Sequence, residues 1–193
     1  MRVLLVAAPG AGKGTQATRI AARYGIRHIS SGELLRLHVD DGTPVGEEVK
    51  AYVARGDLVP DEIVVSVLAQ PVLAAAAAGG YVLDGFPRTA HQAEVAYDLA
   101  HPAGVEVQVA LAIDVPAEEL LRRLLQRRTV EGRTDDAEAT IRHRLEVFDD
   151  TAAELLGYYE TRGILYRVDG VGTVDEVSDR IWRVLDPLRS DHQ

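Results

Sequence analysis

Short apolar runs alternate along this chain with longer segments whose apolar positions recur every three to four residues. The short runs cover residues 2–7, 27–29, 81–84, 107–113 and 164–168, and each is rich in Val, Ile, Leu or Tyr. Runs of this length and composition predict strands buried on both faces. Helical patterns occupy 13–24, 32–39, 45–55, 61–78, 90–100, 117–126, 137–161 and 174–188. Local punctuation agrees. Pro60 and Asp61 open one helix, with Asp61 expected as its N-cap, and Gly79-Gly80 closes it after an alanine run. Asp114-Val115-Pro116 opens the helix after the fourth run in the same way.

Strand–helix alternation predicts an α/β fold: a five-stranded parallel sheet flanked by helices in three layers, with right-handed crossovers. No repeat or linker divides the chain, so residues 1–193 read as a single domain. Two helix-rich insertions stand out, at 30–59 and at 126–136. Ligands of such sheets bind at the carboxyl ends of the strands, so insertions leaving from those ends are candidate covers over a site.

Composition narrows the functional classes. With 47% hydrophobic and 26% charged residues, the 193-residue chain has material for a real core. Thirty acidic side chains against 21 basic ones give a net charge of −9, which disfavours nucleic acid and anionic membrane as partners. The absence of cysteine excludes disulfides, thiol catalysis and any Cys-ligated zinc site. The apolar start, 3–8, is shorter than the roughly 7–15 residues of a signal core followed by a cleavage site. No stretch approaches the ~20 apolar residues of a membrane span. A soluble, cytoplasmic protein is expected. Only two of the basic residues are lysines, Lys13 and Lys50. The six histidines show no metal-ligand spacing and read as surface or core residues.

Lys13 falls within Ala7-Ala8-Pro9-Gly10-Ala11-Gly12-Lys13-Gly14-Thr15, after a strand and at the start of a helix. That is the setting of a phosphate-binding loop (P-loop). Glycines let backbone N–H groups converge on phosphate oxygens, the helix N-terminus adds partial positive charge, and a lysine adds a full one. Thr15 offers a hydroxyl to phosphate or to a Mg²⁺ shell. The strict G-x-x-x-x-G-K-[ST] pattern is not met, because Ala7 replaces the first glycine and Gly14 the Ser or Thr. Alanine at position 7 would cost about 1 kcal/mol if a positive φ were required there.

Pro9 to Gln16 resembles the phosphate loop of the nucleoside monophosphate kinases, which itself carries the departure at Gly14. Further segments extend the likeness to the adenylate kinases, in the right order over nearly the whole chain. They are 28–36 (HISSGELLR), 56–61 (GDLVPD), Asp84-Gly85-Phe86-Pro87-Arg88-Thr89 followed by Gln92, and Gly132-Arg133-Thr134-Asp135-Asp136 followed by Arg142-His143-Arg144. Between residues 122 and 144 stand seven arginines against four acids. Such a run reads either as a solvated face or as mobile positive charge for phosphoryl transfer. Arg88 alone reads as a phosphate grip or a surface ion pair, and Asp84 as a site for Mg²⁺ waters or a helix cap.

The resemblance implies reversible transfer of the terminal phosphoryl group of Mg·ATP to AMP, giving two ADP, by a monomeric enzyme that balances adenine nucleotides. It implies that Gly10, Ala11, Gly12, Lys13, Gly14 and Thr15 hold the donor phosphates, with Arg123, Arg127 and Gly172 also on the ATP side. AMP would meet Ser31, Arg36, the backbone of Asp57, Leu58 and Val59, and Gly85, Phe86, Pro87, Arg88, Gln92, Arg133 and Arg144. The catalytic set is Lys13, Arg88, Arg127, Arg133 and Arg144, while Arg122, Arg128 and Arg142 are left to the surface. Mg²⁺ would be held through water near Asp84 and Thr15. The lid at 126–136 is the short form, and no zinc is expected. The segment 30–59 is the acceptor-binding insertion. Ser31 and Glu33 stand where Thr and Asp are frequent in the family. A UMP or CMP kinase is the nearest alternative, disfavoured by the Ser31 hydroxyl and Gln92. A non-catalytic nucleotide sensor is disfavoured by the second set of phosphate-gripping residues.

Overall fold

The computed structural model describes residues 1–131 and 138–190, without the side chains of 127–131 and 190. Five strands, β1 (Arg2–Val6), β2 (Arg27–Ser30), β3 (Tyr81–Asp84), β4 (Val109–Asp114) and β5 (Leu165–Asp169), form one parallel sheet in the order β2-β3-β1-β4-β5. The central strand shows how the sequence builds layers. Val3 and Leu5 pack into one core, while Leu4 and Val6 pack into the other, as side chains alternating across a strand must. Leu4 is in register with Leu83 on one side and Ala110 on the other.

The first core is closed by α1 (Lys13–Tyr24), α6 (Ala117–Glu131) and α8 (Val174–Ser190) through Ile20, Leu120, Ile181 and Leu185. The second is closed by α2 (Ser31–Asp40), α3 (Pro44–Arg55), α4 (Asp61–Ala77), α5 (Ala90–Ala100) and α7 (Glu138–Thr161). Leu35, Val49, Leu68, Ala93 and Leu155 are the corresponding knobs. Helices α2 and α3 pack as a hairpin that depends on Gly46, since a Cβ there would land on the His38 carbonyl. Thr43 caps α3 by accepting from the Gly46 N–H at 3.0 Å.

Element boundaries fall within two residues of expectation, with one exception: α6 runs to Glu131 rather than ending near residue 126. Residues 127–131, Arg-Arg-Thr-Val-Glu, contain neither Gly nor Pro, so nothing stops the helix before Gly132. The rest of the expected lid lies outside the described residues. A second correction concerns Asp61, which is the first residue of α4 and not its cap. The Pro60 carbonyl receives the N–H groups of Ile63 and Val64, and the Asp61 carboxylate is used elsewhere.

The chain moves from β1 to the β2 edge, and from β3 across β1 to β4. The loops after β1 and β3 therefore open at the place where the winding reverses, where sheets of this type bind ligands. Among the described residues no helix is long and apolar enough to cross a membrane.

Candidate active site

The loop between β1 and α1 bends through Gly10 and Gly12, with φ of +86° and +88°. Glycine adopts these angles without penalty. Position 10 is also closed by packing, because a Cβ there would sit 2.7 Å from Leu124 Cγ. Gly12 is the N-cap of α1 and no side chain caps that helix, so it presents bare amides at its start. Lys13 folds back over the loop and donates from Nζ to the carbonyls of Ala7 at 2.6 Å and Ala8 at 3.1 Å. No described non-glycine residue has a positive φ, so alanine at position 7 carries no backbone strain. The departure from the strict loop pattern is conformationally silent.

The loop forms one wall of a cavity of about 830 Å³, within the roughly 300–1,000 Å³ typical of small-molecule sites. Gly10, Gly12, Lys13, Gly14 and Thr15 line it on the β1 side, with Arg123 from α6. Arg36, Leu58, Asp84, Gly85, Pro87, Arg88 and Arg144 line the rest. A smaller recess of about 50 Å³ adjoins, walled by Ser31, Asp57, Leu58, Val59, Phe86 and Gln92 and sharing Arg36, Arg88 and Arg144 with the larger space. Ala11 and Gly172 do not line either space. Ala11 turns its N–H to the Ala8 carbonyl at 3.2 Å, and Gly172 (φ +124°) faces Glu176. Arg123 connects the two regions, donating to Glu119 at 2.7 Å and to the Gly170 carbonyl at 3.2 Å. Arg133 lies outside the described residues, as does the side chain of Arg127.

The arginines define the electrostatics. Arg88 follows β3 and is fixed by its own loop, donating from Nε to the Gly85 carbonyl at 2.8 Å. Burial lowers its pKa, and the nearby charges of Arg144 and Arg36 lower it further against the opposing pull of Asp84. A guanidinium stays charged through such a shift. The site therefore holds three mutually repelling cations close together, an arrangement suited to a polyanion. The Arg36 guanidinium lies over the first turn of its own helix, 3.3 Å from where a Cβ on Gly32 would stand. The Arg144 stem lies against Gly56, whose Cβ would meet Arg144 Cγ at 2.6 Å. Arg122 and Arg142 are exposed and paired within their helices to Glu119 and Glu138, as surface residues.

Asp84 ends β3 and is the one buried carboxylate among the described residues. Burial pushes its carboxyl up, but His28, Lys13 and Arg88 outweigh that effect and hold it below the usual range. His28 Nε2 lies 3.9 Å from Asp84 Oδ2, beyond hydrogen-bond reach, so its share is electrostatic. Histidine spacing gave no sign of this neighbour, because it comes from the β2–β3 pairing that sets His28 beside Val82.

Two recess residues differ in readiness. Ser31 is buried, and its Oγ finds no hydrogen-bond partner among the described residues. An orphaned hydroxyl of this kind costs about 1–3 kcal/mol. Gly85 (φ +85°) makes room for it, since a Cβ there would stand 2.7 Å from that oxygen. The Gln92 amide is engaged at both ends. Its Oε1 accepts from the Arg88 N–H at 2.7 Å and its Nε2 donates to Asp61 Oδ1 at 2.7 Å. One valence remains free at each end of an amide so bound.

A phosphate loop on one wall and a triad of arginines on another, with no activated side-chain nucleophile among the described residues between them, suits transfer of a phosphoryl group between two phosphorylated molecules. Fold and site together define a P-loop phosphotransferase of the nucleoside monophosphate kinase class. Known proteins narrow the class. The family model described as adenylate kinase matches residues 5–164. An adenylate kinase of Thermus thermophilus is 47% identical over 179 residues, covering 93% of this chain and 94% of its own. Those of Thermobifida fusca and Xanthomonas euvesicatoria are each 44% identical over 185 residues, covering 96% of this chain and 98% and 99% of their own. The chain belongs to the adenylate kinase family.

Proposed function

We propose that this chain transfers the terminal phosphoryl group of Mg·ATP to AMP, reversibly, with the donor on the β1 loop and the acceptor on the arginine side. One observation carries the reading: Lys13 and the glycine loop share a single cavity with Arg36, Arg88 and Arg144. A nucleotide sensor or a simple ATPase has no use for the second phosphate grip.

In this reading a phosphate oxygen of AMP attacks the γ-phosphorus as the bond to the bridging oxygen of ADP breaks. The second pKa of such a phosphate is near ~6, so the acceptor is ionised at neutral pH and needs no general base. What remains is alignment, neutralisation and exclusion of water. Gly10, Gly12, Lys13, Gly14 and Thr15 hold the donor phosphates. Arg36 and Arg88 hold the AMP phosphate, and Arg144 reaches the transferring group. On the family resemblance, Arg127 and Arg133 join it there. Arg123 lines the donor side of the cavity and bonds the Gly170 carbonyl, and the family resemblance puts the donor adenine near Arg127 and Gly172. The unpartnered Ser31 hydroxyl, the backbone of Asp57, Leu58 and Val59, and the free valences of Gln92 receive the AMP base.

Magnesium fits the donor side. Asp84 is held ionised, and a Cβ on Gly14 would stand 4.0 Å from its Oδ2, so the carboxylate borders the phosphate loop. No cluster of three or more His, Asp or Glu occurs among the described residues. A cation that keeps its waters and takes the remaining ligands from nucleotide phosphates suits that arrangement. Asp84 and the Thr15 hydroxyl would hold Mg²⁺ through water, and the ion would neutralise the β- and γ-phosphates. On the family resemblance, the enzyme acts as a cytoplasmic monomer.

Acceptor choice tests the base-binding half of the reading. With saturating Mg·ATP, kcat/KM for AMP is expected to exceed that for UMP or CMP by about a hundredfold, because a recess built to hydrogen-bond one base leaves polar groups unpaired with another. Equal or better use of UMP or CMP would overturn the assignment of the Ser31–Gln92 recess.

A further inference from the structure

One side-chain pair ties α7 to the segment that leaves α3. His143 Nε2 lies 2.7 Å from Asp57 Oδ1, across 86 residues of chain. The other Asp57 oxygen accepts from Arg55 Nε at 2.6 Å. Both oxygens are thus held, one from the end of α3 and one from α7. The guanidinium of Arg55, followed by His143, keeps the carboxyl below its usual range. Gly56, one residue earlier, turns through φ +80° and lies flush against α7. A Cβ on it would meet Arg144 Cγ at 2.6 Å and Thr140 Cγ2 at 3.2 Å.

Residues 57–59 wall the small recess, yet they belong to no helix or strand. Their position is set from outside the segment, and Asp57 is the side chain through which α7 reaches it. On α7 the residue after His143 is Arg144, which shares that recess. Two adjacent residues of one helix therefore address neighbouring parts of one site: Arg144 the transferring group beside the AMP phosphate, and His143 the wall beside the AMP base.

We infer that His143 is a positioning residue for the acceptor nucleotide. By holding Asp57 it fixes the 57–59 backbone against α7, so that base wall and phosphate grip keep a set separation. The inference rests on the assignment of the recess to AMP made above, and it concerns a residue that touches no substrate atom. His143 and Asp57 are 43% and 31% exposed, so the pair has the strength of a half-exposed ion pair and not of a buried one.

Steady-state kinetics on the full chain provide the test, with AMP varied at saturating Mg·ATP and then Mg·ATP varied at saturating AMP. His143→Ala is expected to raise KM for AMP by about threefold to fivefold, the scale of such a pair, while kcat and KM for ATP stay at wild-type values. His143→Gln, whose amide donates from nearly the same place, is expected to restore most of the loss. In an Asp57→Ala background, His143→Ala is expected to add nothing. An unchanged KM for AMP in His143→Ala overturns the inference, as does an equal change in KM for ATP and kcat, which would mark a general structural role. A wild-type enzyme that leaves AMP unphosphorylated overturns the acceptor assignment and this inference with it. An active wild type whose AMP KM is indifferent to His143 overturns this inference alone.

Discussion

Replacing Lys13 with methionine is expected to lower kcat by about a thousandfold or more, with the fold intact. The ammonium stands at the mouth of the phosphate loop, held there by the Ala7 and Ala8 carbonyls at 2.6 and 3.1 Å. In that position its stem is already aimed at the cavity, and the group has only to exchange carbonyl oxygens for phosphate oxygens. Charge preorganised toward a transition state is worth roughly 10²–10³ per donor, and a full cation on a transferring phosphoryl group roughly 10³–10⁵. Methionine keeps the length and the apolar stem, so the β1–α1 packing through Ala17 and Ile20 is untouched. A coupled assay of ATP formation, read beside a circular-dichroism melt, separates the two effects. Full activity in the folded variant would contradict the donor-loop assignment.

Arg88→Met is expected to lower kcat/KM for AMP by about a hundredfold to a thousandfold, with KM for ATP little changed. Arg88 is one of four cavity-lining arginines and is fixed by its own loop, through the Gly85 carbonyl and the Gln92 amide. It is therefore preorganised, and preorganisation is where such a residue gains its effect on rate. The same substitution carries a second, opposite signature. Burial first, and Arg144 and Arg36 next, disfavour the Arg88 charge in the free protein. Removing that charge relieves repulsion that Asp84 opposes in the free protein and a bound phosphate would offset further. The melting temperature without nucleotide is expected not to fall, while stabilisation by added AMP, read as a thermal shift, is expected to disappear. A variant that binds AMP as the wild type does would remove Arg88 from the acceptor site.

The strands were legible because each is a short apolar run with nothing else its composition allows, and the β1–loop–α1 unit was legible because glycines and a lone lysine stood between two such patterns. Helix ends were legible where Gly or Pro marked them. The end of α6 was not, since residues 127–131 contain neither Gly nor Pro to mark where the helix gives way to a cover over the site. Asp61 had the right chemistry for a cap, but the carboxylate is drawn away by Gln92 at 2.7 Å, a partner 31 residues distant. The same bond changes the view of Gln92, which holds Arg88 in place as well as facing the recess.

His143 and His28 were invisible for a related reason. Their importance lies in pairs made through the sheet and across helices, and no spacing along the chain encodes those. Net charge informed about partners but not about the site. A total of −9 disfavours nucleic acid and anionic membrane, yet the cavity gathers Lys13, Arg36, Arg88, Arg123 and Arg144 against Asp84 and Glu33. The acid excess lies elsewhere on the surface, and small polyanions remain the ligands that fit.

Incubation of the pure protein with MgADP alone reads both halves of the site at once, because one ADP must occupy the donor loop and the other the arginine side. ATP and AMP are expected to appear in equal amounts, and the Lys13→Met protein is expected to form neither at a comparable rate. Unchanged ADP would contradict a two-site phosphotransferase, and conversion of ADP to AMP and inorganic phosphate without ATP would show that water, and not a second nucleotide, accepts the group.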